Sequence, residues 1–189
     1  MTNPAQRTRC TDREISDLID VHKKDVSRGF RELEQSLEVC PNDPRLHFLK
    51  GSWLAGQEDY VAARRSMRHA IDFAPNYSTA RFQLGLLELT SGEAIAAQET
   101  WGPLHALPQT HYVRLFVTGL CHLIRDEFAD AVRCLEEGIS LNHENEPMNR
   151  DMRMVVDEIR KKHGSRGKDG VVVSSVGLLL QQAALKSRH

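Results

Sequence analysis

Three residue types keep one 34-residue period through the middle of this chain. Gly51, Gly85 and Gly119 fall at that spacing, as do Ala63, Ala97 and Ala131, and Phe48, Phe82 and Phe116. Self-similarity at this period marks a stack of two-helix units, since each unit has an apolar face that only a neighbour can cover. Residues 44–145 therefore predict three consecutive helix pairs.

The first copy, 44–77, shows how one unit is spelled. Leu46, Phe48, Leu49, Trp53 and Leu54 recur at helical rather than alternating spacing over Pro44–Gly56. Gly56-Gln57-Glu58-Asp59 interrupts the pattern. Ala63, Met67, Ala70 and Ile71 resume it over Tyr60–Phe73, and Pro75 forbids its continuation. The small residues have a steric reading: Gly51 is expected to face Ala63 and Ala70 where two helix backbones come close. The second copy, 78–111, carries Gly102-Pro103 inside a second helix expected from Glu93 to about Ala106, which should bend or split there. The third copy is 112–145.

The flanks read as caps. Residues 10–43 look like a worn extra copy, with helices expected at about 12–23 and 25–38. Thr11 and Glu14 spell a capping box, Asp17 stands where later copies have glycine, and Gly29 where they have alanine. Met148, Met152, Val155, Val156 and Ile159 predict a closing amphipathic helix in 146–163, whose charged side keeps the end of the array in water. Residues 1–9 are expected to be disordered, 164–170 to be a flexible linker, and 171–189 to form an apolar tail that needs something to bury against.

These residues resemble the tetratricopeptide repeat (TPR) family. Its marks are Gly51, Tyr60, Ala63, Ala70 and Pro75; then Leu84, Gly85, Gly92, Ala97, Trp101 and Leu104; then Gly119, Phe128, Ala131, Leu135 and Gly138. The resemblance implies an all-α, right-handed solenoid of stacked antiparallel helix pairs. It also implies binding of a peptide or a partner protein, with no chemistry. In this family the first helix of each pair lines the concave face. Carried over, that lining would be Arg45, Phe48, Ser52 and Ala55; Thr79, Phe82, Leu86 and Leu89; Val113, Phe116, Leu120 and Leu123; with Glu14, Leu18 and Val21 in front. The expected partner-binding set is Phe48, Ser52, Phe82, Leu86, Leu89, Phe116, Leu120 and Leu123. Phenylalanine, leucine and serine stand where carboxylate-clamping members carry lysine, arginine and asparagine, so an apolar peptide or helix is the implied ligand. The chain's own residues 171–186 are a second candidate occupant, and an ordinary inter-repeat core with a free tail is the third reading.

Composition narrows the class. A net charge of −1 with 27% charged residues in 189 argues against a general nucleic-acid or anionic-membrane binder. A chain of this length can bury ~70% of its unfolded surface without a covalent staple. Cys10, Cys40, Cys121 and Cys134 form no close pair in sequence and read as buried thiols of a reducing compartment. No secretory leader or membrane-spanning run is legible, so a cytoplasmic location is expected. Catalytic spellings such as H-E-x-x-H, a phosphate loop or a nucleophile elbow do not occur, so neither an enzyme nor a metal or cofactor site is expected. The expected role is a protein–protein interaction adaptor or scaffold, with a dedicated secretion or assembly chaperone, or a regulatory subunit, as alternatives. Oligomeric state is not readable.

Overall fold

The structure, a computed structural model, describes residues 7–163. Among them there are helices and no strand: α1 (Asp12–Lys24), α2 (Val26–Val39), α3 (Pro44–Gly56), α4 (Tyr60–Phe73), α5 (Ser78–Thr90), α6 (Ala94–Trp101), α7 (Tyr112–Ile124), α8 (Phe128–Leu141) and α9 (Glu146–His163). A 3₁₀ turn, Gly102–Ala106, follows α6. The linker and tail expected at 164–189 lie outside the described residues. No described helix is long and apolar enough to cross a membrane. The chain divides into two compact units, residues 1–84 and 85–189, with the boundary inside α5.

In the first unit α1, α2, α3 and α4 each start on a side-chain cap. Thr11 and Glu14 form the reciprocal capping box of α1, while Asp25, Asp43 and Asp59 accept from backbone amides of α2, α3 and α4. The core gathers Leu18, Leu33, Cys40 and Leu46 with Cys10 from the segment before α1. Residue 7 is already tied down, its amide donating to the Val39 carbonyl at 2.9 Å.

Helix pairs close on glycine. A Cβ at Gly51 would lie 2.6 Å from Met67 Cγ and 3.1 Å from the Ala63 carbonyl oxygen. The three nearest atoms thus belong to Ala63 and Met67; Ala70, also expected to face Gly51, is buried too. A helix places i and i+4 on one face, so Ala63 and Met67 present a single ridge to Gly51. In α1–α2 the close approach has moved: a Cβ at Gly29 would lie 2.6 Å from His22 Cα. Asp17, at the repeat's glycine position, is exposed instead.

The second unit repeats the device. A Cβ at Gly119 would meet Leu135 Cγ at 2.8 Å and the Ala131 carbonyl oxygen at 3.1 Å, and one at Gly85 would run into the Trp101 indole. Met67, Trp101 and Leu135 share one repeat position, so a bulky side chain always covers the glycine. Trp101 is fully buried and is the last residue of α6; Gly102-Pro103 then tightens the chain into the 3₁₀ turn. Of the bend or split expected there, the chain takes the split. The α8–α9 junction is built from a buried asparagine pair. Asn142 Nδ2 donates to Asn149 Oδ1 at 2.8 Å, and Asn149 Nδ2 donates back to the Asn142 carbonyl at 2.8 Å.

The turn inside each pair also keeps register. Glu58 (φ 67), Gly92 (φ 85) and Asp126 (φ 58) occupy one repeat position and one left-handed conformation. Glycine adopts it without strain, whereas a side chain costs roughly 1 kcal/mol there. Gly56, earlier in the first turn, is helical and faces open space.

Two outcomes follow. Gly119→Ala destabilises the protein by about 1–3 kcal/mol, because the new methyl abuts a carbonyl oxygen that cannot move alone. Asp126→Gly stabilises it by about 0.5–1 kcal/mol. Urea unfolding followed by circular dichroism measures both.

Candidate functional site

The eight residues expected to bind a partner fall into two environments. Phe48 and Ser52 sit one turn apart on α3 and are half-buried. The Phe48 ring tilts against Tyr77, with centroids 5.3 Å apart. Burial pushes the Tyr77 phenol above its usual pKa, so it stays protonated. Leu86 on α5 is also half-buried. The other five are inside: Phe82, Phe116, Leu120 and Leu123 are fully buried, and Leu89 nearly so. Phe116 packs toward α8, its ring being what a Cβ at Gly138 would meet at 2.6 Å. Tyr112 stands edge-on to it at 5.9 Å.

Arg45, expected to line the same face, is engaged in a network. Its guanidinium pairs with Asp43 Oδ2 at 2.7 Å and Asp12 Oδ1 at 2.6 Å, and donates to the Cys10 carbonyl. Asp43 is completely buried; it caps α3 through the Arg45 amide at 3.0 Å and accepts the Cys10 amide at 2.8 Å. Burial alone would raise its pKa, but the Arg45 side chain and these two amides hold it below the usual carboxylate range. The Asp43 carboxylate, with Asp12 behind it, raises Arg45 further. Asp43, Tyr77 and His111 occupy one repeat position at the head of each first helix. His111 caps α7 through Nδ1 and the Val113 amide at 3.2 Å.

Two more clusters were not legible in sequence. His22 stacks on Trp53 with centroids 3.8 Å apart and 13° between planes, and Phe30 meets both rings edge-on. Burial lowers the His22 pKa, and its Nε2 has no hydrogen-bond partner. Three separate helices supply these rings, so no local spacing announces them. In the second unit, a cleft of about 380 Å³ lies between α8 and α9. Ile139 and Val156 line it with Glu136, Ser140, Arg153, Asp157 and Arg160. Arg160 bridges to Glu136 at 2.7 Å across it. Among the described residues, no three His, Cys, Asp or Glu side chains converge to hold a metal ion.

The pH consequence of the Asp43 network has a definite sign. A carboxylate whose native pKa is depressed stabilises the fold fully above its unfolded value, about 4, and that stabilisation is lost as pH falls through the lower native pKa. Asp43→Asn should weaken the protein at pH 7 by about 2 kcal/mol and flatten its stability profile between pH 5 and pH 3. Urea midpoints for both proteins at each pH check this.

No protein-family model matches the sequence, and no curated protein matches it. Among solved structures, two of MamA are similar: "MamA 41-end from Desulfovibrio magneticus RS-1" and "MamA RS-1 ArsTM double mutant". Each superposes with a TM-score of 0.55 over 94% of this chain and 94% of the other, at 14% sequence identity. At that identity the likeness speaks for the fold: this chain has an all-α helical-repeat solenoid fold.

Proposed function

We propose that this protein is an interaction adaptor of tetratricopeptide-repeat type, which buries an apolar segment of a partner protein against its first-helix residues. The set is Phe48 and Ser52 on α3, Phe82, Leu86 and Leu89 on α5, and Phe116, Leu120 and Leu123 on α7. Its members divide the work. Phe48 and Ser52 in the first unit, and independently Leu86 in the second, keep exposed surface for a partner. The buried ones hold the helices that present them.

The observation that carries this reading is Phe48. Its register mates Phe82 and Phe116 are fully buried, yet Phe48 is half-exposed beside a protonated Tyr77. A partly buried aromatic ring that keeps some surface open is suited to anchoring an apolar peptide. The fold likeness to MamA supports the repeat architecture beneath it. Residues 171–186 would compete for the same surface, and a tethered competitor reaches effective concentrations of order millimolar. The proposed setting is cytoplasmic, with no catalytic role.

Affinity capture from cells of the source organism tests the proposal with Phe48→Asp and Leu86→Arg, which change exposed surface. Phe82→Asp or Phe116→Asp would place a charge in the core and unfold the protein instead. Loss of captured proteins with the helical circular dichroism intact is the expected result. Loss of one client would identify a dedicated chaperone, and loss of several a scaffold. Unchanged capture by both variants overturns the proposal. Truncation after Gly164 should tighten partner binding several-fold if the tail competes.

A further inference from the structure

Cys10 and Cys40 are 30 residues apart in sequence, yet their sulfurs lie 3.1 Å from each other. That is about 1 Å more than a disulfide bond. Both side chains are buried, Cys40 completely. Neither belongs to the partner-binding set, and their contact is independent of that reading. We propose that Cys10 and Cys40 are a reversible disulfide site, which small disulfides of the glutathione kind oxidise to bolt the segment before α1 onto the end of α2.

The surroundings favour that bond. Cys40 is the C-cap of α2, its amide donating to the Ser36 carbonyl at 2.8 Å, so its position is fixed by the helix. Cys10 is fixed on both sides of its Cα. Its amide donates to Asp43, and its carbonyl accepts from Arg45. Two sulfurs held on separately anchored backbones need only a small side-chain rotation to bond. Cys121 and Cys134 are free thiols on α7 and α8.

The chemistry balances without a metal. The Cys10 thiolate attacks one sulfur of the small disulfide, forming a mixed disulfide and expelling one small thiolate. The Cys40 thiolate then attacks the Cys10 sulfur and expels the second. Two cysteines are oxidised, one small disulfide is reduced to two thiols, and the two cysteine protons end on those thiols. In the closed form Cys10 resists the first step: burial, then the neighbouring Cys40, raise its pKa to about 12. Reaction therefore proceeds when the segment around Cys10 lifts, breaking the Arg7–Val39 and Cys10–Asp43 hydrogen bonds, a local opening and not global unfolding.

The test uses the full chain in excess oxidised glutathione, with intact mass and a non-reducing tryptic map as readouts. The expected product has lost two hydrogens, links the Cys10 and Cys40 peptides, and reverts with dithiothreitol. Its Tm should rise by on the order of 10 °C, the effect of closing a loop of this length. Cys10→Ser should abolish both changes, whereas the Cys121→Ser and Cys134→Ser pair should keep them. The proposal is overturned if wild-type protein accumulates only glutathione adducts, if Cys10 or Cys40 pairs with another cysteine, or if all four stay reduced.

Discussion

Backbone proximity within each helix pair is the constraint on which everything else rests. At Gly51 and Gly119 an added methyl would lie 3.1 Å from a carbonyl oxygen of the facing helix. Interiors are packed too densely for that distance to open without cost to neighbouring contacts. Alanine opposite the glycine keeps the second backbone near, and a long side chain four residues on covers the gap. Met67, Trp101 and Leu135 show that the covering group can be thioether, indole or isobutyl. The void is fixed by the backbone, and its filler is negotiable.

That hierarchy explains what was readable from sequence. Glycine and alanine at a fixed period are visible because no other residue satisfies the close approach, so the number of pairs and the bounds of α3, α4, α7 and α8 follow from spacing. The left-handed turn position was only partly visible. Gly92 announces it, but Glu58 and Asp126 hide the same backbone under ordinary residues. Pro103 signalled a break, yet whether a bend or a split results depends on Trp101 being anchored just before it. The Gly29–His22 approach was hidden because α1 and α2 exchange the roles of small and large residue. Of the candidate binding residues, periodicity picks out the first-helix positions but is blind to depth. It gives Phe48, Phe82 and Phe116 one description, although one is half-exposed and two are fully buried.

The front of the molecule departs from the repeat because it has work the repeats do not have. The segment ahead of α1 has to be held against the first pair. Asp43 and Arg45 supply that function with charge. The carboxylate is removed from water entirely, which is tolerable only because a guanidinium and two amides meet its oxygens. The capping residue of α3 thereby also holds the Cys10 backbone. Tyr77 and His111, at the same repeat position, lead into α5 and α7. The position is conserved in geometry while its chemistry changes from acid to phenol to imidazole.

The same economy bears on where a partner could act. A ring given to the core is withdrawn from recognition. Phe116 illustrates the commitment: with Gly138 across from it and Tyr112 at its edge, it has no free face. Phe48 tilts against Tyr77 and keeps part of its surface open. Phe82 is fully buried as well, without such a glycine to account for it, so register alone does not set how deep each ring lies.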